Sequence, residues 1–129
     1  MKIITKYRNI LIKGEVSYRN FKFRGEHMET LVDEKLLNIF KSLKIIREIR
    51  NDITVRQAQI FLGVCIKNGI LRMDLRKSVN IGEAVMTRSL DQLFNKGVLL
   101  LKKDYRDPRQ LRVYLTDEGE EIRNRLSDL

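Results

Sequence analysis

The sequence of 129 residues has few of the residues that form cross-links, metal sites or membrane spans. Its single cysteine, Cys65, excludes an internal disulfide, and with the single histidine, His27, it supplies too few ligands for a structural zinc site. No apolar run reaches the roughly 18–20 residues needed to cross a bilayer, and charges interrupt the first residues too often for a signal peptide. We therefore expect a cytoplasmic protein that binds no membrane and carries no metal or cofactor.

The sequence also lacks any residue pattern that supports catalysis. No nucleophile–base pair and no glycine-rich loop for a phosphate is recognisable, so we expect no enzymatic activity. Cys65 lies on the apolar side of its predicted helix, which favours a small core residue over a redox sensor. His27 falls between predicted elements and is expected to be solvated.

Positive charge, by contrast, is abundant. The formal net charge is +9, and residues 1–25 hold seven basic side chains and one acidic side chain. We treat residues 1–27 as a basic N-terminal extension. Because 43% of the residues are hydrophobic, the chain can bury a core, and its length predicts one domain over residues 28–129. The charge favours a polyanionic partner, but charge alone leaves open nucleic acid, an anionic membrane surface or neither.

Helical spacing of apolar residues is clearest between residues 28 and 50. Steps of three and four residues form one apolar stripe, which predicts a long helix covered by the rest of the domain or by a second copy of the chain. Residues 2–24 fit either a helix or two strands about a turn. Alternation of Phe21 and Phe23 with basic residues favours strands in the second half of this segment.

Two shorter helices are predicted next. Thr54 and Gln57 have the spacing of a capping box, which marks the start of a helix that ends near residues 68–69. A short helix over residues 73–79 follows. Residues 80–82, Asn-Ile-Gly, then break the helical pattern before the next element.

The last part of the chain predicts a helix, a hairpin and a final helix. The helix covers residues 83–96, and two strands then flank a turn of polar residues at 104–109. Thr116 can cap a C-terminal helix over residues 117–127. The acidic residues in the first turn of that helix complement its positive end and are expected to act in capping.

A short helix, a tight break, a second helix and a basic-tipped hairpin form a winged helix-turn-helix. We therefore predict a mainly α fold with a small β-hairpin, in which residues 53–115 form the DNA-reading module. A recognition helix needs one apolar face for docking and one small or polar face for base edges. The helix over residues 83–96 is divided in this way, as any solvated amphipathic helix is.

The predicted recognition helix has an identifiable inward and outward side. Arg88 is suited to a bidentate contact with guanine, while Thr87 or Ala84 could touch a thymine methyl group or a phosphate. The residues expected to face outward near its start are Ala84, Val85, Thr87, Arg88 and Asp91. The expected inward stripe consists of Met86, Leu90, Leu93 and Phe94.

The hairpin and its surroundings carry a more specific pattern. The pieces are Leu93-x-x-x-Gly97, Asp104-x-Arg106-x-x-Arg109, and Leu115-Thr116-Asp117-Glu118-Gly119. In this combination and at this spacing they resemble the MarR (multiple antibiotic resistance regulator) family of winged helix-turn-helix proteins. The resemblance covers about residues 54–119.

The resemblance implies roles for the wing, residues 102–110. Arg106 would enter the minor groove, where a narrow groove concentrates negative potential, and Asp104 would support the hairpin arginines. Arg109 would stabilise the wing or touch a phosphate, and Lys102 and Lys103 are expected phosphate contacts. The alternative is an ordinary surface turn with an Asp104–Arg106 or Asp107–Arg109 ion pair.

Members of this family usually dimerise through an N-terminal helix and two C-terminal helices. Because ten residues follow Gly119, we expect a homodimer that forms through the helix over residues 28–50, and we expect no small-molecule effector. The predicted function is a sequence-specific regulator of transcription that binds double-stranded DNA. The alternatives are a nonspecific replication or architectural factor and a protein-interaction module with the winged fold.

Overall fold

The computed structural model describes residues 16–18, 21–23 and 31–129, with side chains from residue 33 onward. By its contacts the chain forms two compact units, Met1–Phe40 and Lys41–Leu129. The elements in order are β1 (Val16–Tyr18), β2 (Phe21–Phe23), α1 (Leu31–Ile46), α2 (Val55–Ile66), β3 (Ile70–Leu71), α3 (Arg72–Val79), α4 (Glu83–Asn95), β4 (Leu99–Lys103), β5 (Leu111–Leu115) and α5 (Asp117–Ser127).

The first unit contains an antiparallel strand pair. Val16 lies opposite Phe23 and Tyr18 opposite Phe21, so the strands predicted for the second half of the N-terminal segment are confirmed. The other part of that prediction, which concerns residues 1–15, lies outside the described residues. The expected boundary after residue 27 also lies outside them.

The long helix is confirmed, with a shorter C-terminal end than predicted. Helix α1 ends at Ile46 instead of residue 50, and the predicted start at residue 28 is outside the described part of the chain. After Ile46 the hydrogen bonds tighten: the N–H groups of Glu48 and Ile49 each bond to the carbonyl three residues back. Such bonds turn the chain more tightly than an α-helix and end it here.

Helix α2 begins with the predicted capping box. Oγ1 of Thr54 accepts from the Gln57 backbone N–H at 3.0 Å, and Oε1 of Gln57 accepts from the Thr54 N–H at 3.2 Å. Near the other end, Cys65 is half-buried and packs against the core. Burial raises the pKa of its thiol to about 12, so the thiol stays protonated and behaves as a small core side chain.

The core of the second unit lies between α2, α3, α4 and a three-stranded sheet. Apolar burial of this kind is the main favourable contribution to folding. No helix in the described part of the chain combines the length and the apolar composition that a membrane span requires. The core cluster consists of Ile60, Phe61, Val64, Leu75, Met86, Leu90, Leu93, Val98, Leu99, Val113 and Leu115.

The sheet contains a short strand that the sequence did not predict. Its strand order is β3-β5-β4, and all neighbours are antiparallel. Strand β3 has only two residues, with Ile70 opposite Val113 and Leu71 opposite Arg112. It joins the start of α3 directly to the hairpin of β4 and β5. The predicted class, a mainly α winged helix-turn-helix with a small β-hairpin, is otherwise confirmed.

Candidate nucleic-acid interface

The helix-turn-helix consists of α3, residues 80–82 and α4. Asn80 has a φ of 64°, a left-handed conformation that asparagine tolerates better than most residues. Its N–H donates to the Arg76 carbonyl at 2.8 Å, which satisfies the C-terminal end of α3. Gly82 then forms the N-cap of α4. This tight turn gives α4 a new direction after only three residues.

Helix α4 presents a polar face near its start. Ala84, Thr87 and Arg88 are exposed, as the sequence predicted, whereas Val85 is half-buried. Val85 is therefore less available for a base contact than expected. The fully buried stripe consists of Met86, Ser89, Leu90 and Leu93.

Ser89 is the residue that the predicted inward stripe omitted. The buried positions follow helical steps of three, one and three residues, and Ser89 occupies the position between Met86 and Leu90. Its small side chain fits there although it is polar. Phe94, which was predicted to face inward, is only half-buried and packs at the edge of the core.

A network of charged side chains joins α3 to α4. Nη1 of Arg72 donates to both carboxylate oxygens of Glu83, at 2.5 and 3.1 Å. Nη2 of the same guanidinium donates to Oγ1 of Thr87 at 2.9 Å. Arg76 lies one turn further along α3, with its Nε 3.5 Å from Glu83, and it donates to the Ile81 carbonyl at 3.1 Å.

The wing is held by Asp104. Its Oδ1 accepts from Nε of Arg112 at 2.6 Å, and its Oδ2 accepts from the backbone N–H groups of Arg106 and Asp107 at 3.2 and 2.9 Å. These bonds hold the pKa of Asp104 below its usual value, and the bond from Arg112 contributes most to this lowering. Asp104 thus contacts Arg106 through the backbone, and its side-chain partner is Arg112.

The basic side chains of the wing differ in whether they already have a partner within the protein. Arg109 is paired with Asp107, with Nε 3.0 Å from Oδ1, and this bond lowers the pKa of the Asp107 carboxyl. Nζ of Lys102 lies 5.4 Å from the centre of the Tyr114 ring, a cation–π distance. The side chains of Arg106 and Lys103 are exposed.

The C-terminal helix is anchored at the base of the wing. Thr116 caps α5 as predicted, with its Oγ1 accepting from the Gly119 N–H at 3.1 Å. A Cβ on Gly119 would lie 2.2 Å from the backbone oxygen of Val98. The glycine of the Leu-Thr-x-x-Gly pattern is therefore required by the close approach of α5 to the start of the wing.

A bacterial regulator has a similar sequence over most of the chain. The uncharacterized HTH-type transcriptional regulator YdgJ of Bacillus subtilis (strain 168) is 30% identical over 115 residues, which cover 89% of this chain and 69% of that protein. The chain belongs to the MarR-like HTH-type transcriptional regulators. No protein-family model matches it.

Solved structures show the same MarR-like fold. The transcriptional regulator Tm0710 from Thermotoga maritima matches with a TM-score of 0.65 at 19% identity, over 76% of this chain and 68% of that one. A mutant of MarR from E. coli complexed with operator DNA matches with a TM-score of 0.55 at 25% identity, over 77% and 72%. The S. aureus MepR–DNA complex matches with a TM-score of 0.58 at 18% identity, over 76% and 77%.

Sequence reasoning missed three residues of this candidate interface. Arg72 and Arg112 were not singled out, because the bonds of Arg72 to Thr87 and of Arg112 to Asp104 and Gly69 depend on how separate elements pack. Tyr105 was passed over as a turn residue, but its side chain at the wing tip is 94% exposed. A tyrosine between Asp104 and Arg106 at the tip of a basic hairpin was the available signal, because tyrosine hydroxyls commonly contact phosphates.

Proposed function

We propose that this chain regulates transcription by binding a specific sequence of double-stranded DNA. Helix α4 would enter the major groove with Ala84, Thr87 and Arg88 toward the bases, and the wing would place Arg106 in the minor groove. Val85, Lys102, Lys103 and Arg109 would line the contact at its edges. The observation that carries the proposal is the exposed polar start of α4, which is set on a buried apolar stripe and follows a tight turn.

The electrostatics of the two reading elements support this assignment. Arg88 is exposed and has no ion-pair partner among the described residues, so its planar fork is available for a guanine edge. Arg106 has its backbone fixed by Asp104 while its side chain is exposed. The turn fixes the point from which this side chain extends, and a guanidinium is weakly enough hydrated to enter a narrow groove.

We further propose that the DNA-binding form is a homodimer. On α1, the side chains of Leu36 and Ile39 are 56% and 55% exposed, and a second copy of the chain would cover them. Two copies would place two recognition helices on half-sites about one helical turn apart. Loss of the dimer from the double variant Leu36→Ser, Ile39→Ser, but not from the control Lys35→Ser, would support this arrangement in a solution-mass measurement.

The test of DNA binding is the selection of duplexes from a random pool by the full chain. We expect enrichment of one sequence with twofold symmetry, and a solution mass that corresponds to two chains per duplex. The selected duplex should bind at least about a thousandfold more tightly than a scrambled one. Equal affinity for both, with binding governed by salt alone, would indicate the nonspecific alternative. Absence of any binding at low salt would refute the proposal.

A further inference from the structure

The hydroxyl of Thr87 has a defined hydrogen-bonding state. A threonine hydroxyl has one donor and two acceptor positions, and Nη2 of Arg72 occupies an acceptor position at 2.9 Å. Among residues 33–129 no hydrogen bond is donated by this hydroxyl to another group. Thr87 is exposed at the start of α4, on the face that is proposed above to meet DNA, so the remaining proton is available to an external acceptor.

The Arg72 guanidinium fixes this state because it is itself held firmly. Its side chain is only 18% exposed, and its bonds to Glu83 fix the plane of the fork. Glu83 and Thr87 are four residues apart on α4, so one guanidinium spans a full turn of that helix. The rotamer of Thr87 is thereby tied to the position of α3.

Glu83 has a supporting role in this arrangement. A glutamate at the start of a recognition helix can accept from the amino group of cytosine, but both Glu83 oxygens already accept from Arg72. Arg76 adds a second positive charge 3.5 Å away. The two guanidinium charges offset the carboxylate charge, which reduces its repulsion of the DNA phosphates.

We propose that Arg72 is a positioning residue that makes Thr87 a hydrogen-bond donor to DNA. This inference rests on the proposed function. The partner of Thr87 would be an acceptor, either a purine N7, a thymine O4 or guanine O6 in the major groove, or a phosphate oxygen. The amino groups of adenine and cytosine are donors and could use only the second acceptor position of this oxygen, because Arg72 already occupies the first.

The fork of arginine explains why this residue is needed. The guanidinium carries N–H groups on separate nitrogens, so it donates to Glu83 and to Thr87 at the same time. A lysine at position 72 would bring a single point charge. Arg72→Lys therefore keeps the charge balance with Glu83 and loses the directed bond to Thr87. Thr87→Val removes the hydroxyl with almost no change of shape, and Thr87→Ser keeps it.

The experiment measures the affinity of the full chain for the selected duplex and for a scrambled one. We expect Thr87→Val and Arg72→Lys each to weaken binding to the selected duplex about three- to tenfold, with Thr87→Ser close to the native chain. The double variant should bind with about the same affinity as the weaker-binding single variant, because both changes remove the same hydrogen bond to DNA. If Arg72 had only a structural role, the two changes would weaken binding independently, and their fold losses of affinity would multiply in the double variant.

Modified duplexes identify the acceptor. Replacing single purines by 7-deaza analogues removes an N7 acceptor, and single methylphosphonates remove a phosphate oxygen. Replacing a thymine by 5-methyl-2-pyrimidinone or a guanine by 2-aminopurine removes an O4 or an O6 acceptor. One of these positions should weaken the native chain and leave the Thr87→Val variant unaffected. Native-like binding by Thr87→Val on a duplex that the chain does select would overturn this inference alone. Failure of the native chain to select any duplex would overturn the proposed function as well.

Discussion

The Nε atom of Arg112 lies 2.6 Å from Oδ1 of Asp104, and the same guanidinium donates to the Gly69 carbonyl at 2.7 Å. Asp104 begins the wing turn, Arg112 lies on β5, and Gly69 precedes the helix-turn-helix. One side chain therefore ties the tip of the wing to the segment that leads into α3. The half-buried setting of the pair makes its geometry more constrained than that of a surface ion pair.

This contact makes the stability of the wing sensitive to acid. The Arg112 and backbone bonds lower the pKa of Asp104 in the folded chain, relative to about 3.9 for an unfolded aspartate. A carboxyl with a lowered folded pKa stabilises the fold above its unfolded pKa, and this contribution is lost as the pH falls through the folded value. We expect Asp104→Asn to be less stable than the native chain at pH 7.

Urea unfolding at a series of pH values tests this prediction. The stability difference between the native chain and Asp104→Asn should be constant above about pH 5 and should shrink as the pH falls below about 4. Asp91→Asn, at an exposed position on α4, is the control for loss of a surface carboxylate and should change the stability little. A stability difference between the native chain and Asp104→Asn that stays constant down to pH 2 would contradict the stabilising role of the Asp104 carboxylate.

The contact of α5 with the base of the wing gives a prediction for stability. The methyl group of Gly119→Ala would meet the backbone oxygen of Val98, which already accepts from the Thr116 N–H. Because backbone cannot give way as a flexible side chain can, we expect a loss of about 1–3 kcal/mol in the free energy of unfolding. Thermal and urea unfolding measure it.

The control for Gly119→Ala is a glycine with free space around it. A Cβ on Gly82 would meet no atom within 4 Å, and Gly82 is an N-cap without a side-chain hydrogen bond. Gly82→Ser should therefore leave stability unchanged or raise it by a few tenths of a kcal/mol, since serine is a preferred N-cap. Equal losses from both glycine variants would show that the close contact at Gly119 is not the cause.

Arg88 is expected to determine sequence preference. Arg88→Ala should weaken binding to the selected duplex by about 1–3 kcal/mol and should reduce discrimination at one base pair. Arg88→Lys keeps the charge without the bidentate fork, so it should not recover the lost discrimination. Equal losses on selected and scrambled duplexes for Arg88→Ala would assign this residue to the phosphate backbone.

Arg106 and Arg109 have equal charge but different partners. Arg109 is paired with Asp107, whereas Arg106 has no side-chain partner among the described residues. We expect Arg106→Ala to cost about 1.5–3 kcal/mol of binding energy, with the larger effect on duplexes with A·T-rich flanks. Arg109→Ala, the matched control, should cost less and should not depend on flank composition. If Arg106→Ala weakens binding equally whatever the flanking sequence, Arg106 does not contact the minor groove.

The elements of the second unit were largely predictable because each has a local signal. The capping box at Thr54, the apolar stripe of α4 and the cap at Thr116 depend on residues within one or two helical turns of each other. The wing was found from its spacing of Asp104, Arg106 and Arg109. Strand β3 has two residues, too few to show any alternation, and its existence depends on pairing with β5.

The contacts that shape the interface were not predictable, because they depend on how elements pack. Arg72 reaches Thr87 across 15 residues only because α3 and α4 meet at a particular angle. Arg112 lies opposite Lys102 in the strand register, and it still bonds Asp104 because the wing turn folds back toward it. Val85 is half-buried although it lies outside the buried stripe of α4.

The two-residue strand β3 has a mechanical consequence. It pairs with β5 at one end of the hairpin, and Leu71 is followed without any linker by Arg72, the first residue of α3. The hairpin and α3 are thus mechanically coupled, and the bond from Arg112 to the Gly69 carbonyl strengthens this coupling. A displacement of the hairpin would therefore be transmitted to α3, and through the bond of Arg72 with Thr87 to α4.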